Sequence, residues 1–224
     1  MIDFNEMVEN FVRRESRPKT IGRYYPSEIG ICLRKVWYSY IDPKEINTRL
    51  LKIFSLGHMI HDYVVEVLKS EKNSHIELIK SEFPFKEKVD DFLISGRIDN
   101  LILIKSDQTK LLIEVKSTAD VRSVLDASPH NVDQIQLYMH FIGIKDGVVL
   151  YVDKKDMNSK VFYIQYNEKH ALKLLDKFRK LHMCLTKEIV PEPESRMNVH
   201  KKWMCRMCEY REVCYKETPA EILG

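Results

Sequence analysis

Between residues 49 and 69, Leu50, Phe54, Gly57, His61, Val64 and Leu68 recur at alternating steps of four and three. That spacing predicts a helix with all six residues on one face. Residues 27–40 read as a shorter helix begun just after Pro26, with Ser27 as its N-cap, so the chain before residue 70 is expected to be mainly helical. From Ile76 the pattern changes to short apolar runs broken by Asp90-Asp91 and Ser106-Asp107-Gln108. It predicts strands over 76–85, 92–104 and 110–117, the last two paired as a hairpin. Asn131 or Asp133 is placed to cap a helix through Gln134, Leu137, Tyr138 and Phe141 that Gly143 ends. Strands over 148–152 and 160–166 flank a polar turn, and a long amphipathic helix is expected over 168–187. The linker Pro191-Glu192-Pro193-Glu194-Ser195 then leads to a cysteine-rich end.

The chain has 224 residues, 44% of them hydrophobic and 31% charged, with seven glycines and eight prolines. These values suit one globular domain with at most a small appendage. No apolar run approaches the roughly 20 residues that cross a bilayer, and the acidic start MIDFNEMVEN does not resemble a secretory signal. A cytoplasmic location is therefore expected, with no membrane partner. The net charge of +3, from 36 basic against 33 acidic residues, does not by itself mark a nucleic-acid binder. Basic residues do gather as Arg13, Arg14, Arg17, Lys19 and Arg23, and again as Lys201, Lys202, Arg206 and Arg211; each group alone reads first as a solvated face.

Side chains alternate along a strand, so Glu114 and Lys116 share one face while Ile113 and Val115 take the other. The hairpin partner brings Asp99 beside Glu114. Two facing carboxylates repel unless one is protonated or a divalent cation lies between them. His61, in an apolar helix seam, needs a polar partner, whereas His58 lies off the seam. The five cysteines of an unsecreted chain point to metal ligation before disulfides. Cys205, Cys208 and Cys214 form C-x2-C-x5-C, and Cys32 stands far upstream; four thiolates serve zinc or an iron-sulfur cluster, and spacing leaves the two open. Cys184 lies outside this pattern and reads as a small core residue. Trp37, Tyr38, Tyr40 and Trp203 read first as packing that shields the cysteine site.

GHMIH, GRID, IEVKS and QIQLY occur in the order and rough spacing of the PD-(D/E)xK nuclease superfamily and resemble its RecB-like branch, over about residues 57–138. Gly57 and His61 match that branch's Gly-x3-His, Asp99 its acid before the hairpin turn, Glu114 and Lys116 its acid-x-Lys, and Gln134 and Tyr138 its Q-x-x-x-Y helix. The resemblance implies an α/β, restriction-endonuclease-like core with a mixed central sheet flanked by helices. It implies Mg²⁺ or Mn²⁺ held by His61, Asp99, Glu114 and the Val115 carbonyl. Lys116 would then orient or deprotonate the attacking water or neutralise the scissile phosphate, and Gln134 and Tyr138 would line the DNA path.

One cysteine before the nuclease core and three after it resemble the iron-sulfur RecB-like nucleases. The compact size is similar to the CRISPR-associated exonucleases that process spacer precursors. That likeness implies a four-iron four-sulfur cluster on Cys32, Cys205, Cys208 and Cys214, in a subdomain made by both chain ends. It divides the chain into a helical region 1–48, a nuclease core 49–190 and a cluster-binding segment 191–224. The implied substrate is DNA, single-stranded or with overhangs, and the implied partners are CRISPR integrase proteins. Two other readings remain: a free-standing recombination, repair or viral exonuclease with the same catalytic motifs, and a non-catalytic DNA-binding module whose cysteines hold zinc.

Overall fold

The computed structural model describes residues 2–13, 18–199 and 201–217; Arg14 and Arg17 of the first basic group lie outside them. Helices α1 (Phe4–Val12), α2 (Pro26–Ile29), α3 (Leu33–Ile41) and α4 (Thr48–Lys69) fill the first third, with a two-residue strand β1 (Arg23–Tyr24) between the first pair. Then come β2 (Ile76–Val89), β3 (Phe92–Ile104), β4 (Thr109–Thr118), α5 (Pro129–Ile142), β5 (Asp146–Asp153), β6 (Ser159–Gln165) and α6 (Glu168–Thr186), followed by short α7 (Glu194–Met197) and α8 (Arg211–Glu217). Among the described residues, no helix is long and apolar enough to cross a membrane.

The sheet is mixed. β2 and β3 pair antiparallel along nearly their whole length, β3 and β4 pair antiparallel, β4 and β5 parallel, and β5 and β6 antiparallel; β1 adds a short parallel pair to the start of β3. Parallel neighbours need a crossover, and α5 supplies it between β4 and β5. Alternation along β4 divides the core between the two sheet faces. Ile113 and Val115 pack with Ile60 and Val64 of α4, while Leu112 packs with Ile135 and Tyr138 of α5. A further cluster joins Tyr24, Ile29, Trp37 and Tyr40 to Phe178, Leu181 and Leu185 of α6, so the N-terminal helices share a core with the sheet's helical cover.

Three sequence expectations shift. The helix expected over 27–40 breaks in two: Tyr25 is the N-cap of α2 and Cys32 that of α3, so Ser27 is not a cap. At the break, a Cβ on Gly30 would lie 2.4 Å from His130 Nδ1 and 2.7 Å from His130 Cα, and the chain turns where α5 crosses it. Helix α5 starts at Pro129 after Ser128, ahead of both expected caps, since proline is preorganised for a first helical position. Gly143 closes it at φ +69°, a conformation glycine takes without Cβ strain. Of the expected apolar stripe of α4 only Val64 is buried, beside Ile60 and Val65 in the second half of the helix. Leu50 is 43% and Phe54 48% exposed, because the first half of α4 projects past the sheet and carries α1 instead, tied by Lys52 to Glu9 at 2.8 Å.

Candidate active site

The β3–β4 ladder ends at the pair Asn100 and Ile113. One residue further on, where the strands part, Asp99 and Glu114 face each other. A side chain replaces the missing rung: the Val115 amide donates to Asp99 Oδ2 at 2.7 Å. Strand divergence thus creates a cleft floored by two acids in the middle of an apolar sheet. Glu114 is 1% exposed and Asp99 8%.

Glu114 Oε1 pairs with Lys116 Nζ at 2.6 Å, while its Oε2 is buried without a hydrogen-bond partner. Burial, then the charge of Asp99, push the Glu114 carboxyl up to about 7, against the pull of Lys116 and His61. For Lys116, burial alone would lower the ammonium, but Glu114 and Asp99 overcome it and the net direction is up. The lysine therefore holds its proton.

His61 reaches the same cleft from α4, with Nδ1 3.5 Å from Asp99 Oδ1 and 3.7 Å from Glu82 Oε1. Burial would lower its pKa; the Asp99 hydrogen bond and the charges of Asp99, Glu114 and Glu82 reverse the direction and raise it. His58 points elsewhere, its Nδ1 2.8 Å from the Phe54 carbonyl on the exposed side of the helix. Glu82 is the member that sequence reasoning missed. Across the β2–β3 pair, Ser81 faces Asn100 and Phe83 faces Ile98, which leaves Glu82 opposite Asp99. The available signal was an acid at mid-strand, out of phase with Phe83 and Phe85. Among the described residues, His61, Glu82 and Asp99 are the set of three ligand-type side chains whose donor atoms all lie within 4.8 Å of one another.

Gln134 and Tyr138 lie in the interior, on the α5 side of the sheet. Both are buried, since one turn of α5 stacks them against the sheet behind Lys116. Lys116 Nζ donates to Gln134 Oε1 at 3.1 Å, Gln134 Nε2 donates to the Tyr138 hydroxyl at 3.0 Å, and the Tyr138 ring packs edge-on to Phe85. The Val115 side chain is buried in the α4 cluster, and its amide is committed to Asp99.

Cys32, Cys205, Cys208 and Cys214 line one cavity of about 240 Å³ between the chain ends. Burial, followed by the neighbouring Cys32, Cys208 and Cys214, pushes the Cys205 thiol up. No three of these sulfurs lie within 4.8 Å of one another. The ends are tied beside them: Glu194 accepts from the Leu33 amide at 2.9 Å, and Arg34 Nε donates to the Pro191 carbonyl at 2.5 Å. Trp37, Tyr38 and Tyr40 are buried, and Trp203, 60% exposed, lines the cavity at its rim. Cys184 sits in the core, accepting the Trp37 indole at its carbonyl. Of the first basic group, Lys19 is held by Glu28 and Ser39, and Arg23 by Ser95. Lys202, Arg206 and Arg211 are exposed beside the cysteines.

The sequence profile of the PD-(D/E)XK nuclease superfamily matches residues 8–215. The chain belongs to that superfamily. Its fold is similar to the crystal structure of SSO0001, with a TM-score of 0.65 at 19% identity over 98% of this chain and 97% of that one. It is also similar to the alkaline exonuclease LHK-Exo from Laribacter hongkongensis, with a TM-score of 0.55 at 14% identity over 75% of this chain and 90% of that one, including a structure with dAMP. Among curated proteins, none matches by sequence. Identities this low establish a shared fold.

Proposed function

We propose that this superfamily member is a divalent-metal-dependent exodeoxyribonuclease that trims DNA ends, single-stranded or with overhangs. The observation that carries the reading is the cleft at the parting of β3 and β4, where Asp99 and a buried, half-partnered Glu114 meet with Lys116 beside them. Two acids so placed, with one oxygen unsatisfied, suit a hard cation; His61, Asp99, Glu114 and the Val115 carbonyl would hold Mg²⁺ or Mn²⁺. Its chemistry there is to make a water nucleophilic at neutral pH and to offset the charge of the phosphorane-like transition state.

The chain's own residues prepare that site. Asp99 is fixed by the Val115 amide, so its second oxygen stays turned toward His61. Lys116 keeps its charge through Glu114 and its direction through Gln134, which places a charged hydrogen-bond donor at Nζ to orient the attacking water or to neutralise the scissile phosphate. The exonuclease names of the LHK-Exo structures agree with end-trimming.

The four cysteines are proposed to hold a four-iron four-sulfur cluster. A thiol such as Cys205, raised by burial and by three neighbouring sulfurs, favours a cationic centre. Four thiolates serve zinc as well; the resemblance to iron-sulfur RecB-like nucleases favours a cluster over the zinc-module reading. On this assignment residues 1–48 and 191–224 jointly clasp the nuclease core 49–190. The cellular role proposed is cytoplasmic processing of spacer precursors with CRISPR integrase proteins, on the strength of the motif pattern and the cysteine arrangement. A recombination, repair or viral exonuclease shares the same catalytic residues, and the identity of the neighbouring genes separates the two.

Digestion of DNA labelled at either end, with Mg²⁺ or Mn²⁺ and a Glu114→Ala control, tests the activity. Progressive loss of label from one end is expected, and cleavage that survives in the control sinks the assignment.

A further inference from the structure

Helix α4 projects past the sheet in its first half, and the side it leaves uncovered there is the one that leads into the cleft. Leu50, Phe54, Gly57 and His61 recur at steps of four and three, so they share one side of the helix. Beyond His61 that side is closed, with Val64 buried and Leu68 packed against the cluster beneath α4. Before it, Phe54 is 48% and Leu50 43% exposed. His61 itself faces Asp99 at 3.5 Å. An exposed apolar track, aromatic at Phe54, therefore runs along one helix face and ends at the acids of the cleft.

Gly57 is a second observation, independent of that exposure. It lies inside the helix, where glycine costs stability because it gives up so much backbone freedom on folding. Packing does not account for it: a Cβ there would meet only Ser117 Oγ, at an ordinary 3.6 Å. Gly30 differs, since a Cβ on it would run into His130. On the track between Phe54 and His61 the helix is thus bare at a cost, with no neighbour in the fold that requires it. A bare helix surface of this kind suits the close passage of a ligand.

We propose that this side of α4 is a track for single-stranded DNA, on which Phe54 stacks a base of the strand whose phosphate lies in the cleft, and over which the strand passes close to the helix at Gly57. The inference rests on the nuclease reading above. At 1.5 Å per residue Phe54 lies about 10 Å along the helix axis from His61, or about three steps of a strand stacked at 3.4 Å per nucleotide. Continuity decides the occupant: a strand held at Asp99 and Glu114 leaves the cleft over a surface adjoining His61, and Phe54 is the exposed ring on that side of α4. Arg97, 67% exposed and 3.1 Å from Glu82 at the mouth of the cleft, offers positive charge to the strand's phosphates. Stacking on a ring accepts any base with a free face. Bases inside a duplex cover one another's faces, so the track selects unpaired ends.

The test compares kcat and KM in Mn²⁺ for end-labelled oligo(dT) and for the same strand made abasic, which keeps the phosphates and loses the bases. Wild type should show a KM for oligo(dT) lower than for the abasic strand by roughly 5- to 50-fold, the scale of one stacked base. Phe54→Ala should raise the KM for oligo(dT) by a similar factor with kcat little changed, and should no longer distinguish the two strands; Phe54→Trp should restore the distinction. Gly57→Ala should raise the thermal midpoint by about 2 to 4 °C and yet raise the KM for oligo(dT), a combination that a purely structural glycine does not give. Equal KM for the two strands in wild type, or an undiminished difference in Phe54→Ala, overturns the proposal, and cleavage of both strands then leaves the nuclease reading standing. Sedimentation of wild type and Phe54→Ala covers the rival occupant: a dimer that Phe54→Ala dissociates, with equal KM for the two strands, assigns the face to a second copy of the chain and overturns the track. If wild type cleaves neither strand, both readings fall.

Discussion

Lys116 touches Glu114 and Gln134 at once, its Nζ 2.6 Å from Glu114 Oε1 and 3.1 Å from Gln134 Oε1. A flexible four-carbon side chain is thereby held between a strand and a helix, and the helix residue is anchored in turn by Tyr138. Gln134 is thus a positioning residue that acts through the lysine. Gln134→Ala should lower kcat by roughly 10- to 100-fold, the scale of losing an orienting partner, with KM and Mn²⁺ affinity nearly unchanged. Tyr138→Phe, which removes only the far hydroxyl, should cost less. A rise in KM with kcat intact would return Gln134 to the role of a DNA contact.

The Glu114 carboxyl, pushed up to about 7 by burial and then by Asp99, makes the metal-free protein pH-sensitive. The unfolded chain releases this proton near 4.5, the folded chain only near 7. The stabilising contribution is therefore complete below about pH 4.5 and is lost as pH rises through 7, with a limiting slope of about 1.4 kcal/mol per pH unit between the two. Denaturant unfolding in EDTA should show wild type losing stability relative to Glu114→Gln across that window. The variant carries a constant offset from leaving Lys116 without its carboxylate, so the slope of the difference, not its sign at one pH, is the readout. A flat difference would show that Glu114 titrates like a surface acid.

The two histidines of GHMIH separate cleanly. His61→Ala should abolish most activity and weaken divalent-cation binding, because its imidazole is the cleft's nitrogen donor beside Asp99. His58→Ala should change neither, since it removes only an exposed contact to the Phe54 carbonyl. Activity and Mn²⁺ titration of both variants check this, and the reverse ranking would mean that α4 presents its other side to the cleft.

How far the sequence carried depends on the kind of signal. Period-two alternation in IEVKS places Glu114 and Lys116 on one face, and the structure has both facing α5. Asp99 is legible because it lies in the strand preceding a short turn, one rung beyond the last paired residues of that hairpin. Glu82 is not legible the same way: it reaches Asp99 from β2 through a register that includes a bulge between Leu78 and Lys80, and no local pattern encodes that offset. Leu50 and Phe54 misled for the opposite reason. Their periodicity is real, but periodicity marks a face without saying how far the sheet extends beneath it. The burial of Tyr138 behind Lys116 likewise depends on how α5 crosses the sheet.

Cys32, far upstream of the other three, is the N-cap residue of α3 and lines the cavity shared with Cys205, Cys208 and Cys214. Anaerobically purified wild type should be brown and contain iron and acid-labile sulfide. A centre joining Cys32 to the distal cysteines would close a very long loop, worth on the order of 5 kcal/mol by analogy with the loop-entropy account of disulfides. Cys32→Ser should therefore lose colour and lower the thermal midpoint. It should also lower activity, because Gly30, two residues before Cys32, packs with α2 against the start of α5, the helix that holds Gln134 behind Lys116. Cys184→Ala should keep its colour, since that thiol is buried in the α6 core away from the cavity; its cost is limited to a small packing loss. Zinc without iron in anaerobic protein would reject the cluster and leave the cleft's chemistry untouched, because no cysteine belongs to the set formed by His61, Glu82, Asp99, Glu114 and Lys116.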